Sequence, residues 1–558
     1  MTGPLLIHGA RLLTPEPAPA GHDAVAIAGG RIVGVGPADA CRAALPADAP
    51  AIDVGGRTVT PGLVDAHTHP LVMSVFEEHL RFDDATTLAD VLDAVADRAR
   101  ATEPGSAVVG FQLDDARLAE RRLPTGEELD RAGAGRPVVL LRRDGHHAVG
   151  SSAALAAAGL DDPAAVPDGG HVERGDDGRP TGLVGELAVA PLLALMPEVT
   201  VASLEGAAAT WSARLLRQGI TGLSAICQTT AEGPSGPAGE LEAFGWSVLV
   251  ASMPFDVQTI LIAPDLAAVE DWRGVPALHD PPAGRRLDAV KLFLDGTLGG
   301  ATACMHVPFA DRRDTAGMRT MGDDDAYARM VAAHLAGLQV CIHAIGDGAN
   351  RAAAELYRRL LAEHPGPHRH RVEHASVLDD ETVELFAGLG ITCVVQPISL
   401  RTEAHWLADR LGTVRLARAY PYRRLLDAGV TVAGSSDAPI EPSDPLAAMA
   451  AAVDRRGVGD RQALSPIEAL GLYTTGAARA RQVEADRGRL APGHRADLAV
   501  LSGDPLAAGW DAVATHGATT VTAAMTFNAD GTPTDPALTI AIDGITVELG
   551  TVTGYAGL

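Results

Sequence analysis

Eight short apolar runs, most of them separated by helical stretches, constrain the fold of this chain more than any other feature. They lie at residues 63–67, 220–226, 247–253, 289–294, 339–343, 371–374, 391–396 and 431–436. Helices are expected between them, among others at 323–336, 349–363 and 380–387. Short apolar runs bounded by turn residues suit strands buried on both faces. Eight of them alternating with helices predict a closed parallel (β/α)8 TIM barrel, here formed by 61–70 and 206–487. Residues 71–205 form an excursion after the first strand, with strands of its own expected at 107–112 and 138–142. An insertion at the C-terminal end of a barrel strand is expected over the mouth, so 71–205 reads as a lid or substrate-binding subdomain. Residues 1–60 and 488–558 carry short apolar runs broken by turns, as in AVAIAGGRIVGVG and LTIAIDGITVELG. These two ends are expected to meet in one composite β-sandwich domain.

Charge and cysteine usage narrow the partners. A net charge of −26 argues against nucleic acid and anionic membranes. No apolar run reaches the ~18 residues of a membrane span, and the N-terminus lacks the pattern of a signal peptide. The five cysteines are scattered without CxxC spacing, as expected of reduced core thiols in a cytoplasmic protein. A small-molecule substrate is the expected partner, and a homodimer the default assembly.

Lys291 is the single lysine among 45 basic residues. Arginine stays protonated, whereas a desolvated lysine becomes a neutral amine that can form a Schiff base or take up CO2 as a carbamate. Its surroundings favour metal chemistry. The first strand ends in DAHTH, which puts His67 and His69 on one face, where both can reach a cation at about 2.0–2.1 Å. Lys291 lies near the end of strand four, His343 ends strand five, His374 strand six and Asp437 strand eight. In a barrel these ends converge on one face. A carbamylated Lys291 would remove the conflict between an ammonium and a divalent cation, and could bridge two metals. Neutral histidines with anionic oxygens suit Zn²⁺, one or two per chain. Water bridging two cations ionises near neutral pH, and Asp437 would take its proton and pass it to a leaving amine.

The motifs VTPGLVDAHTHP, VKLFLDGTLGGATA, HAIGDGAN, RVEHA, GSSDAPIEPSDPL and GRLAPGHRADLAVLSGDP, in this order, resemble the amidohydrolase superfamily. More narrowly they resemble its family 3 branch, which includes N-substituted formamide deformylases. The resemblance implies metal-dependent hydrolysis of a non-peptide C–N bond, an amide or an N-formyl or N-acyl amine. It implies that His67, His69, His343, His374 and Asp437 are metal-site residues, with Lys291 the bridging ligand if carbamylated. Within 71–205, RRDGHHAVGSSAAL resembles a pocket-lining segment, with His146 in place and Val149 and Ser151 where the pattern has Trp and Asn. TGLVGELA puts Glu186 at a position that faces the site in relatives.

Other polar residues carry plainer readings. His146 is expected to contact substrate and His147 to face solvent. Asp295, in the Gly-rich DGTLGG loop, could contact substrate, bond a ligand histidine, or cap a turn. Gln396, near the end of strand seven, is expected to support the site. Arg401, Arg410, Arg455 and Arg456 are candidates for carboxylate recognition, and His364, His368 and His370 are expected to be solvated. The runner-up activity is a single-metal deaminase on the same barrel. Such enzymes usually lack the strand-four lysine and place a Glu beyond the strand-five histidine, where this chain has Ala344–Ile345–Gly346. A Schiff-base aldolase would leave the HxH and Asp437 unexplained.

Overall fold

A ring of eight parallel strands is the centre of the molecule. The computed structural model describes residues 3–16, 19–82, 85–103, 105–115, 117–143, 147–167, 170–186, 188–197, 200–230, 236–516, 518–521, 538–542 and 545–549. The strands are Leu63–Thr68, Ile220–Gln228, Asp256–Ile262, Arg285–Phe293, Gln339–Ala344, Arg371–His374, Thr392–Val395 and Val432–Gly434. They pair in chain order, and each central strand is hydrogen-bonded on both sides. Strands one and eight close the ring through two backbone bonds, Asp437 N–H to His67 O and His69 N–H to Ala438 O, both 2.8 Å. The barrel is thus the expected (β/α)8 TIM barrel.

One strand assignment is corrected. Residues 247–253 do not form strand three: they belong to the helix Glu242–Leu249 and the 3-10 turn Val250–Ser252. The buried residues Glu242, Ala243, Trp246 and Leu249 recur at helical spacing, and the Trp246 indole N–H donates to Thr259 Oγ1 at 3.1 Å. The strand itself is the next segment, Asp256–Ile262, DVQTILI. A short apolar run alone does not separate helix from strand, and the β-branched residues of the later segment decide.

Strand eight is backed by a π-helical turn, Leu472–Gly476. Gly434 is required here, because a Cβ at that position would lie 2.4 Å from the Tyr473 ring. The close approach lets the Tyr473 hydroxyl donate to Ser435 O at 3.3 Å.

Two compact units are present, Met1–Pro70 with Ser212–Leu558, and Leu71–Trp211. The first holds the barrel and two small sheets. One sheet pairs Leu5–His8, Ala24–Ala28, Arg31–Gly36 and Ala51–Asp53. The other joins the two ends of the chain, pairing Arg11–Leu12, Thr58–Pro61, Leu498–Leu501 and Ala518–Val521. Leu5, Ile7, Val25, Ile27, Val59, Leu498 and Val500 share one core. Strands Leu538–Ile542 and Ile545–Leu549 pair separately.

The unit Leu71–Trp211 has a six-stranded sheet that includes Val108–Leu113 and Val138–Arg142. Two of its helices, Leu88–Ala101 and Gly126–Ala132, begin with capping boxes, Thr87 with Asp90 and Thr125 with Glu128. No helix among the described residues is long and apolar enough to cross a membrane.

Candidate metal centre

Two of the expected ligands leave strand one and a third follows strand eight. His67, His69 and Asp437 each offer a donor atom within 4.8 Å of the others. Asp437 Oδ1 lies 3.1 Å from His69 Nε2 and 3.2 Å from His67 Nε2. The backbone bonds that close the barrel join these same residues, so ring closure and site assembly share one seam. Asp65 reinforces it: its buried carboxylate accepts the Ser436 and His67 N–H groups at 3.0 and 3.3 Å, and burial pushes its pKa up to about 7. Asp437 and His374 both hold left-handed φ values, 61° and 75°, unusual for residues with a Cβ and typical of functional sites.

His343 and His374 stand beside this triad. The His374 ring is 5.0 Å from that of His67 and 4.4 Å from that of His343. Lys291 is 2% exposed, and its Nζ lies 5.0 Å from the centre of the Phe293 ring. Burial pushes its amine below the ordinary lysine range, against the pull of Glu373 and Asp437.

Hydrogen bonds settle which ring nitrogens are free. The His67 Nδ1–H donates to Glu373 Oε2 at 2.6 Å, which turns Nε2 toward Asp437. The His343 Nε2–H donates to Gly296 O at 3.0 Å, leaving Nδ1. The His374 Nδ1–H donates to Gln396 Oε1 at 2.9 Å, leaving Nε2. The Gln396 amide cannot flip without loss, because its Nε2 donates to Ser435 Oγ at 2.9 Å and that hydroxyl donates on to Val395 O. Burial, then the charge of Lys291, pushes the His67 imidazole below its ordinary value. Its Nε2, the ring nitrogen turned away from Glu373, faces Asp437 Oδ1 at 3.2 Å, and His69 Nε2 reaches the same oxygen at 3.1 Å. The donor set of imidazole nitrogens and a carboxylate fits a divalent transition metal.

The other expected site residues fall as follows. Asp295 is 2% exposed, and its carboxylate accepts the N–H groups of Cys304, Ile345 and Gly346 at 2.9, 3.1 and 2.8 Å. It ties the loops after strands four and five, and its Oδ1 lies 3.4 Å from His343 Nε2. Gln396 holds His374, as above. His146 lies outside the described residues. Glu186 ends the strand Pro180–Glu186 opposite Gly170, and its side chain lies outside the description. Val149 is buried in the core of its unit. Ser151 is also buried and caps the helix Ser152–Ala157 through Ala154 N–H, so these two replaced positions serve packing.

Three of the arginines proposed for carboxylate recognition are structural ties. Arg401 pairs with Asp511, Arg410 with Asp311, and buried Arg455 donates to the carbonyls of Val458 and Ala419. The backbone N–H of Arg456 donates to the Asp454 carboxylate.

Two residues were missed. Glu373 and Arg371, both fully buried, form an ion pair directly behind His67. The signal was present in RVEH, where an Arg and a Glu two apart share one face of a buried strand.

The chain matches the amidohydrolase family over residues 51–526. A Bacillus subtilis (strain 168) protein named as the amidohydrolase YtcJ is 32% identical over 82% of this chain and 86% of its own. The N-substituted formamide deformylase of Arthrobacter pascens is 27% identical over 90% of this chain and 94% of its own. Among solved structures, an uncharacterized metal-dependent hydrolase from Pyrococcus furiosus superposes with a TM-score of 0.69 at 26% identity. That match covers 90% of this chain and 100% of the Pyrococcus chain. A match of this extent, on a barrel whose strand ends gather histidines and a carboxylate, places the chain in the amidohydrolase family.

Proposed function

We propose that this protein hydrolyses a non-peptide C–N bond of a small molecule, an N-formyl or N-acyl amine, at a divalent metal centre. One observation carries the reading: His67, His69 and Asp437 present donor atoms within 4.8 Å of one another at the strand ends. His67, His69, His343, His374 and Asp437 would hold the metal, with zinc the best match to the donors. Lys291 would join them as a carbamate, formed when its neutral amine adds CO2 and releases a proton. When bound, the metal polarises the substrate carbonyl and lowers the pKa of water.

The chain's own groups supply the rest. Asp437 sits at the meeting point of both HxH histidines, where its carboxylate takes the proton of the attacking water and returns it to the leaving nitrogen. Glu373, Gln396 and Gly296 hold the histidines in single tautomers, so the donor set is organised before any ligand arrives. The relative named as an N-substituted formamide deformylase supports formamides as the first substrates to try.

The test is metal content by elemental analysis on protein purified with bicarbonate and without chelators, beside Lys291→Arg, with release of amine from an N-substituted formamide. The expected result is about two metals per chain in the wild type, falling in the variant together with turnover. Wild-type protein that takes up no metal, or turnover untouched by chelation, overturns the reading. One metal in both proteins removes the carbamate bridge and turns the next assay to deamination.

A further inference from the structure

The interior of a (β/α)8 barrel is usually filled with branched aliphatic side chains. Here the layer beneath the site is ionic. Arg371 and Glu373, on strand six, are both fully buried. Arg371 Nε donates to Glu373 Oε1, and its Nη2 reaches Glu373 Oε2 at 3.3 Å and Ala66 O at 2.8 Å. Ala66 immediately precedes His67, so this one guanidinium grips both the strand that carries His67 and the carboxylate that holds the His67 ring. Below it lies Gln258, whose Oε1 accepts from Ser224 at 3.1 Å and whose amide donates to Asp288 and Gln339 at 2.8 and 3.0 Å.

Glu373 and His374 are neighbours in sequence, and on a regular strand their side chains would point to opposite faces. The left-handed φ of His374 breaks the alternation. Glu373 therefore bonds the back of His67 while the His374 ring lies 5.0 Å from the His67 ring.

An ion pair buried this deeply is poor value as a stabiliser, since apolar residues of similar volume often do as well or better. Its place directly behind His67 points to another role. We infer that Arg371 and Glu373 are a positioning pair, which fixes His67 as the Nε2-donating tautomer and lends its imidazole negative charge toward a bound cation. The inference rests on the metal-centre reading above.

The test is zinc affinity of the full-length apo-protein, by competition with a chelator, for the wild type, Glu373→Gln, and the double variant Arg371→Met/Glu373→Leu. Thermal unfolding of each apo-protein is recorded beside it. Glu373→Gln keeps the shape and removes the charge, while the double variant replaces the pair by apolar volume and guards against a misfolded single variant. The expected result is a 10–100-fold weaker zinc affinity in both variants, with the apo-protein midpoint of the double variant at or above that of the wild type. A merely structural pair would move the midpoint and not the affinity. Either variant, folded, binding zinc as tightly as the wild type overturns the inference alone. A wild type that takes up no zinc overturns it together with the metal-centre reading.

Discussion

The barrel has histidine clusters at both ends of its strands, and they differ in where the lone pairs go. At the C-terminal ends, each of His67, His343 and His374 spends one ring nitrogen on an acceptor behind it and keeps the other. At the N-terminal ends, His334 and His370 keep none. The Val340 N–H donates to His370 Nδ1 at 3.0 Å. His370 Nε2–H then donates to His334 Nδ1, and His334 Nε2–H to His364 O, both at 2.9 Å. His368 stacks on His370, and its Nδ1 accepts the His370 backbone N–H at 3.4 Å. The lower cluster is a closed chain of donors and acceptors that stitches helix Asp323–Leu335 to the loop before strand six. A group of close histidines is therefore not in itself a ligand set. Counting protons separates the two ends where proximity does not.

The largest effect should come from the upper end. Asp437→Asn keeps the shape of the site and removes the base, so kcat should fall about 10²–10⁴-fold while the circular dichroism spectrum is retained. A variant within threefold of the wild type would remove Asp437 from proton transfer.

Gln396→Leu frees the His374 ring to rotate. Metal affinity should drop about 10–100-fold, read by chelator competition. Unchanged affinity would mean that packing alone orients His374.

The lower end should respond to acid. Burial, then His368 and His334, push the His370 pKa from 6.5 down to about 3. Between those values the unfolded chain holds a proton that the folded chain lacks, so stability is lost as pH falls below about 6.5. From pH 7.5 to 5 the loss assignable to His370 should be about 2 kcal/mol, at about 1.4 kcal/mol per unit below 6.5. It should vanish in His370→Asn, which cannot charge but keeps an acceptor for Val340. Equal acid loss in the two proteins, by urea unfolding, would assign the effect elsewhere.

The smallest expected effect is His334→Ala at neutral pH. Loss of its hydrogen bonds should cost about 1–2 kcal/mol and leave zinc uptake unchanged. A fall in zinc content would erase the distinction between the two ends.

What could be read from the sequence follows the same division. The upper histidines and Asp437 were legible because HxH and the strand ends put chemistry at countable positions along a known architecture. The lower ones were not. HPGPHRH has the polarity of an exposed loop, yet His370 is 1% exposed because the loop folds beneath the barrel and stacks it on Tyr357. Glu373 is hidden by its neighbour, since the histidine that ends RVEH is the stronger signal of chemistry. The third strand is easily misplaced by one element because VLVASM and DVQTILI are both short apolar runs; the β-branched residues favour the later one, and the Trp246–Thr259 bond shows the earlier one packed as a helix. Asp295 was legible as a polar loop residue, but its three N–H partners come from two different loops that no local pattern connects.

The seam between strands one and eight has a consequence for synthesis. His69 and Asp437 are 368 residues apart in sequence, and the bonds that close the ring run between the same short segments. Chains leave the ribosome from the N-terminus, and contacts this distant form last. A nascent chain that has not yet reached Asp437 carries the HxH motif but lacks its carboxylate partner, its closing strand and therefore its site. A chain that ends before Asp437 therefore cannot assemble the group of donor atoms that His67, His69 and Asp437 form together.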